Sequence, residues 1–253
     1  MSLFELDRSQ PHRPMRTSPA AIALQAVGIT AAFAAYLVVR SLANGSETAA
    51  HRHAARVLEV EATLGIDVEQ RLQAAALDLP GVIDVFNFVY AWTYWPFIIG
   101  AFVVTWFWTK ASFSLYRNAM LISGAIGLAV FTVLPVAPPR FLDGFVDTVD
   151  QSARSNFIGH PEGFINEFAA LPSFHVGWVA LASAVLFIAA ERRWVRALLV
   201  LPTILMAVAV VLTANHYVID IVAGVGLSMV SLLLASTLAR RSSAPLEEVP
   251  RKL

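Results

Sequence analysis

The chain has 253 residues, of which 57% are hydrophobic and 14% charged, and its mean hydropathy is +0.65. This composition is too apolar for a soluble domain whose surface faces water, so it predicts an integral membrane protein. Basic and acidic residues balance at 18 each and give no indication of a nucleic-acid partner, while the lack of cysteine excludes disulfides and thiolate metal sites.

Six windows are apolar over the roughly 20 residues that a helix needs to cross a bilayer. They lie at 20–43, 83–108, 117–137, 174–190, 196–214 and 217–239. The first is interpreted as a retained anchor, because its apolar run from Ala20 to Val39 exceeds the ~7–15 residues typical of a secretion signal. The predicted fold class is therefore an all-α integral membrane protein with six transmembrane helices. In the second window, the aromatic residues at both ends of YAWTYWPFIIGAFVVTWFWTK are interpreted as interfacial belts.

Two long connections separate these windows. The first, 44–82, contains apolar residues near helical spacing (Ala54, Val57, Leu58, Leu64 and Leu72), which predicts amphipathic helix along the outer membrane face. The second, 137–173, is polar and rich in Pro, Gly and Asp, and loops longer than about 12–15 residues are more often functional than idle. Together they predict a periplasmic or extracellular cap of short amphipathic helices on a single domain, 1–253, with a catalytic core at about 83–240.

The basic residues predict the orientation of the chain. Most of the 18 lie in segments that a six-span chain with an internal N-terminus would place in the cytoplasm. Cytoplasmic loops of membrane proteins carry such an excess of Lys and Arg. We therefore expect a bacterial-type inner (cytoplasmic) membrane protein with both termini in the cytoplasm and both long connections on the periplasmic or extracellular side.

Three polar segments, APPR, LPSFH and TANHYVID, lie at the ends of apolar windows on this outer side. Ionisable residues at such positions are costly and are candidates for function. In the last segment His216 and Asp220 are i and i+4, so the carboxylate can accept a hydrogen bond from the imidazole and leave its other nitrogen as base or nucleophile. A purely structural helix-end pair explains the same spacing.

The other two segments have the residue types of a phosphate site. Pro172 and Ser173 are typical of a helix start, where an anion such as phosphate can bind with His175 in the first turn. Arg140 follows two prolines, and its guanidinium matches phosphate oxygens. Each has a structural alternative, as a helix cap for Ser173 and as a headgroup contact for Arg140. Their convergence on one membrane face favours the phosphate site.

These segments resemble the phosphatidic acid phosphatase type 2 superfamily, and within it the branch related to inositol phosphorylceramide synthase. AALPSFHVGW and NHYVIDIVAG are similar to the superfamily's Pro-Ser-x-His and His-x-x-x-Asp motifs, and APPR to the branch's form of the first motif. The match covers about 116–226, and HAARVLEVEATLGID resembles the branch's N-terminal region. The resemblance implies a membrane-embedded, metal-independent phosphatase or phosphotransferase that uses no cofactor and acts on a lipid phosphate in the bilayer.

The resemblance also implies a role for each motif residue. His216 would attack phosphorus to form a phosphohistidine, and Asp220 would orient its ring. His175 would protonate the leaving oxygen, while Ser173 and Arg140 would hold phosphate oxygens. The superfamily's chemistry fits the physics of phosphoryl transfer, in which positioning and electrostatic stabilisation supply most of the catalysis.

Two superfamily positions differ in this chain. Val210 stands where an Arg is expected, and Val133 stands where a Lys is expected. We expect Asn166, Asn215 or Arg154 to compensate as further substrate-binding residues, or the substrate to be a phosphodiester that carries less charge than a monoester. The second explanation points toward transfer of a headgroup, with an alcohol in place of water as the acceptor.

Three other functions remain open on the sequence. The first is a zinc hydrolase with His175, His216 and Asp220 as ligands. The second is a proton-coupled transporter that relays protons through His216 and Asp220, and the third is a non-catalytic scaffold. An arginine beside a helix start is better explained by phosphate than by metal, and the clustering of ionisable residues at one face argues against a transport path.

Overall fold

The computed structural model describes residues 18–42, 46–148 and 166–243, and the regular elements in these ranges are helical, which confirms the all-α class. A π-helical turn spans Val89–Thr93, and a 3₁₀ turn spans Pro139–Phe141. The α-helices in chain order are α1 (Pro19–Leu42), α2 (Glu47–Leu64), α3 (Glu69–Leu77), α4 (Val82–Phe88), α5 (Tyr94–Trp108), α6 (Lys110–Val133), α7 (Phe174–Ala189), α8 (Arg193–Leu198), α9 (Leu201–Leu212) and α10 (Val218–Ser243).

Four helical stretches within the described residues are long and apolar enough to cross a membrane. They are Val82–Trp108, Ala111–Val133, Arg193–Leu212 and Val218–Arg240, and they correspond to four of the six predicted windows. The other two windows coincide with α1 and α7, whose apolar stretches, Ala23–Val38 and Phe174–Ala189, are shorter. The chain thus has the helices of an integral membrane protein, and the six-span arrangement stays a prediction.

Helix α7 lies at the centre of the bundle. Most of its 16 residues are buried, and it packs against α5, α6, α9 and α10. At ~1.5 Å per residue it is about 24 Å long, shorter than the ~30 Å hydrocarbon core of a bilayer. Because its neighbours surround it on several sides, its apolar side chains are covered by protein. Its N-terminus, at Ser173 and Phe174, is also buried within the bundle.

Helices α7 and α10 approach each other at two glycines. A Cβ on Gly224 would clash with the carbonyl oxygen of Ser173, and a Cβ on Gly177 would lie 2.6 Å from the carbonyl oxygen of Gly224. Residues without side chains let two helix backbones come this close. The amide of Ser173 also donates to the carbonyl of Asp220 at 2.9 Å. The start of α7 is therefore fixed against the first turn of α10.

The amphipathic segment forms two helices, α2 and α3, which confirms that it is helical. Helix α2 packs on α10, and α3 packs on α9. Leu64 and Leu72 are exposed, whereas Glu61 and Glu69 are buried. The side that faces the protein is thus partly polar, because these acids meet backbone groups of α10 that need partners. Contact of this segment with a membrane surface stays a prediction.

Gly224→Ala is expected to destabilise the protein, because the added methyl group would overlap a backbone oxygen that cannot rotate away. Overpacking of this kind costs about 1–3 kcal/mol. Thermal unfolding in detergent would measure it. The matched control is Gly226→Ala on the same helix, where no atom lies within 4 Å of the new Cβ. Equal unfolding midpoints for the two variants would contradict the close contact of α7 and α10.

Candidate active site

A cavity of about 150 Å³ lies among α1, the π-helical turn, α5, α7 and the segments that follow α6 and α9. The residues that line it include five that the sequence predicted for the site: Arg140, Asn166, His175, Asn215 and His216. Hydrogen bonds between backbones join their segments, as the Arg140 amide donates to the Ala214 carbonyl at 2.9 Å. The fold therefore brings the three motif segments to one place.

The imidazole of His216 is held as a single tautomer. Its Nδ1 lies 2.8 Å from the carbonyl oxygen of Ala170 and 3.3 Å from Oδ2 of Asp220. Because a carbonyl oxygen can only accept a hydrogen bond, Nδ1 carries the proton and donates it. The neutral ring then has its lone pair on Nε2. His216 lines the cavity, and in this tautomer its ring can act there as a nucleophile or a base.

Asp220 contacts the ring of His216 from the first turn of α10. Its side chain is fully buried, and Oδ2 also accepts a hydrogen bond from the Tyr217 amide at 2.9 Å. As the third residue of α10, Asp220 reaches back to the amide that precedes the helix, as the acid of a capping box does. The predicted contact between His216 and Asp220 is thus present, and Asp220 lies behind the ring and away from the cavity.

His175 lies in the first turn of α7 between two tyrosines. Its ring centroid is 4.4 Å from that of Tyr90 and 4.6 Å from that of Tyr94, and 5.8 Å from that of His216. Tyr94 in turn stacks on Trp178 at 6.5 Å. Tyr90 lies in the π-helical turn and Tyr94 directly follows it, and such turns are often found at functional sites. The sequence predicted an interfacial aromatic belt for YAWTYW and missed their contact with His175.

Arg140 places its guanidinium at the cavity between two acceptors. Nη1 donates to Oδ1 of Asn215, and Nε lies 3.3 Å from Oδ2 of Asp147. The guanidinium carbon also lies 4.8 Å from the ring centroid of Phe141. Sequence analysis did not single out Asp147, which is one of several acidic residues in a polar loop. The positive charge of Arg140 is therefore partly balanced before any substrate binds.

The remaining predicted residues have different positions. Ser173 is fully buried and accepts a hydrogen bond from the Val176 amide at 3.4 Å, so it caps α7 and does not line the cavity. Asn166 is buried beside the cavity, where its Oδ1 accepts from the Phe168 amide at 3.0 Å. Arg154 lies outside the described residues. Ser173 thus has the position of a helix cap, which was the structural alternative to phosphate binding.

The two positions that differ from the superfamily face away from the cavity. Val133, at the end of α6, is 81% exposed, and Val210, on α9, is 0% exposed in a hydrophobic cluster. Neither lines the cavity, and Arg140 is the only Arg or Lys among the described residues that do. Val133 therefore lies on the exposed surface of α6, and Val210 lies in the apolar packing of α9.

The arrangement of acids and histidines gives no support to the zinc alternative. Among the described residues, no three His, Asp or Glu side chains are grouped as metal ligands. Nδ1 of His216 already donates to Ala170 and Asp220, which leaves only Nε2 to bind a cation.

The fold and the site define a helical membrane protein with a buried polar cavity near one end of the bundle. A family model described as the PAP2 superfamily matches residues 55–234. The chain belongs to the PAP2 superfamily, which agrees with the resemblance of its motifs. Superfamily membership indicates a phosphoric ester hydrolase or phosphotransferase. No curated protein and no solved structure has significant similarity to the chain.

Replacing Tyr94 tests the contact with His175. Tyr94→Leu is expected to lower the phosphoryl-transfer rate by about 2- to 12-fold, because aromatic pairs contribute about 0.5–1.5 kcal/mol beyond their burial. Tyr94→Phe keeps the ring and should recover most of the rate. Steady-state kinetics of both variants would measure the effect, and an equal loss in the two variants would show that the hydroxyl, not the ring, supports the site.

Proposed function

We propose that the protein is a lipid phosphatase or phosphotransferase, embedded in the membrane, that acts without a metal through a phosphohistidine. The observation that supports it most is the fixed tautomer of His216, which leaves Nε2 as the nucleophilic nitrogen beside a cavity that also contains His175 and Arg140. Each of these three groups has one role in a two-step transfer of a phosphoryl group.

In the first step Nε2 of His216 attacks phosphorus, and the bond from phosphorus to the leaving oxygen breaks. His175, in its protonated form, gives a proton to that oxygen, and Arg140 stabilises the charge on the phosphoryl oxygens. Asp220 stabilises the positive charge that develops on the His216 ring. In the second step water or an alcohol attacks the phosphohistidine, His175 accepts its proton, and Nε2 recovers its lone pair.

The surroundings of the cavity support a lipid substrate. A second cavity, of about 560 Å³ and almost entirely apolar, lies between α1, α5 and α6. It shares Tyr36, Trp95 and Trp178 with the polar cavity. A phosphate group in the first cavity would therefore have an apolar site beside it for its hydrocarbon chain. The excess of basic residues in the predicted cytoplasmic segments supports a site that faces the periplasm or cell exterior.

Transfer of a phosphodiester headgroup is the second candidate, as in the branch related to inositol phosphorylceramide synthase. The observation that favours it is the low positive charge of the cavity, where Arg140 is the only Arg or Lys among the described lining residues and already pairs with Asp147. A diester carries one negative charge, whereas a monoester carries up to two. Hydrolysis and transfer share the first step and differ in the acceptor.

His216→Ala is expected to reduce activity by at least about 10⁴-fold, because it removes the nucleophile. The assay incubates protein purified in detergent with EDTA and with phosphatidic acid, a prenyl phosphate or phosphatidylinositol as donor, each with and without an alcohol acceptor. Wild-type activity should resist EDTA, and the product identifies water or alcohol as acceptor. Radiolabelled donor should leave acid-labile label on wild-type protein only.

The other functions predict different outcomes of the same assay. Activity that EDTA abolishes and Zn²⁺ restores would support the zinc hydrolase. Activity that persists in His216→Ala would exclude the phosphohistidine mechanism. No activity with any donor in wild type would favour the transporter or the scaffold, and proton-coupled uptake into vesicles would then separate those two.

Arg140→Gln is expected to lower kcat/KM by about 10- to 150-fold, since a hydrogen bond to a charged group contributes about 1.5–3 kcal/mol. The matched control is Arg71→Gln, which removes an exposed arginine on α3 that does not line the cavity. Kinetics with a monoester and a diester donor would measure both variants. Equal losses in the two variants would assign the effect to net charge and not to phosphate binding.

A further inference from the structure

Two acidic side chains that the proposed mechanism does not use are buried near the site. Glu61, on α2, is 0% exposed, and Glu69, on α3, is 1% exposed. Acidic residues are almost never buried so completely unless they have a specific partner. Sequence analysis gave them no role beyond the polar side of an amphipathic helix.

Their partners are the amides that begin α10. Oε1 of Glu69 accepts from the Val218 amide at 2.8 Å, and Oε1 of Glu61 accepts from the Ile219 amide at 2.7 Å. Such amides have no partner inside the helix, and a Ser, Thr, Asp or Asn at the N-cap usually binds one of them. Tyr217 precedes α10, and its hydroxyl donates to Ala137 instead. The two glutamates therefore supply acceptors that this N-cap residue lacks.

The turn that the glutamates hold is the one that carries the reactive pair. His216 lies two residues before α10 begins, and Asp220 is the third residue of the helix. A shift of this turn would change the distances from Nδ1 of His216 to Asp220 and to Ala170. Small misplacements of this kind can cost large factors in rate.

We infer that Glu61 and Glu69 are positioning residues, which fix the first turn of α10 from outside and so hold His216 and Asp220 in the geometry for phosphoryl transfer. The inference rests on the proposed function, because it takes His216 as the nucleophile. Neither glutamate lines the cavity, so both act through the pair and not on the substrate.

Because Glu61 can ionise, its positioning of the first turn of α10 depends on pH. Burial raises the pKa of Glu61 to about 8, and Glu69 and Asp220 act in the same direction, while the hydrogen bond from Ile219 opposes them. The groups that face it are Glu69 from α3, with Asp220 and Tyr217 from α10. Because the folded protein binds this proton more tightly than the unfolded chain, the protonated carboxyl group of Glu61 contributes to the free energy of unfolding. This contribution is complete below pH 4.5 and is lost as the pH rises through about 8.

The test measures kcat and KM for Glu61→Ala, Glu69→Ala and Glu61→Gln in the full-length protein, with the three lipid donors of the assay above. The alanine variants should lower kcat by about 10- to 100-fold, because each leaves a buried amide without an acceptor, and should leave KM within about twofold. Glu61→Gln should recover most of kcat, because its amide oxygen accepts from Ile219 and its NH₂ group can face Glu69.

The pH profile gives the readout that a purely structural role would not change. Wild-type kcat should fall in a step near pH 8, and this step should be absent from Glu61→Gln, which cannot ionise. Glu59→Gln, an exposed position on the same helix, is the matched control and should keep the wild-type profile. Should the alanine variants fail to fold, the profile of Glu61→Gln decides the question by itself.

Several outcomes would overturn the inference. These are identical pH profiles for wild type and Glu61→Gln, alanine variants that change KM alone, and a lower unfolding midpoint with unchanged kcat. Failure of the proposed function has a separate signature, since His216→Ala would then be as active as wild type, or all donors would be inert. The loss of activity in His216→Ala combined with unchanged glutamate variants would overturn the positioning role alone.

Discussion

Hydrogen bonds at the start of α10 are the constraint on which the rest of the structure depends. Three consecutive amides, those of Tyr217, Val218 and Ile219, each donate to a different carboxyl group, from Asp220, Glu69 and Glu61. A buried amide without a partner costs about 1–3 kcal/mol, so these contacts are a strong requirement in a helix that starts inside protein. They tie α2 and α3 to α10, and they fix the chain direction just after His216.

The same turn is joined to the other two motif segments through backbone atoms. Ser173 donates its amide to the carbonyl of Asp220, and Arg140 donates its amide to the carbonyl of Ala214. The glycines at 177 and 224 allow this approach by leaving no side chain between α7 and α10. These main-chain contacts therefore add to the carboxyl contacts at the start of α10, and together they bring the segments of His175, His216 and Arg140 to the cavity.

Local sequence rules predicted the features that depend on one helix. The spacing of His216 and Asp220 predicted their contact, and the Pro-Ser pair predicted the start of α7 at Phe174, with Ser173 as its cap. Apolar window lengths located the long helices. These inferences worked because helix geometry relates neighbours three or four residues apart in any context.

Features that depend on tertiary packing were missed. The interfacial-belt pattern does not tell which aromatic rings turn inward, so the contacts of Tyr90 and Tyr94 with His175 could not be read from it. The amphipathic pattern places Glu61 and Glu69 on a solvated face, because charged residues usually lie there. Their burial follows from the needs of α10, about 150 residues later in the chain, which no local window contains.

The charge of the cavity links this architecture to the choice of substrate. Asp147 pairs with Arg140, and its position is fixed because the segment around it is anchored to α3 and α4. Gln73 exchanges two hydrogen bonds with the backbone of Val146, and Asn87 binds Thr148. A phosphate that binds Arg140 must therefore approach a carboxylate that cannot easily move away. Repulsion from Asp147 grows with the charge on the phosphate, which supports the proposal of a monoanionic diester over a dianionic monoester as substrate.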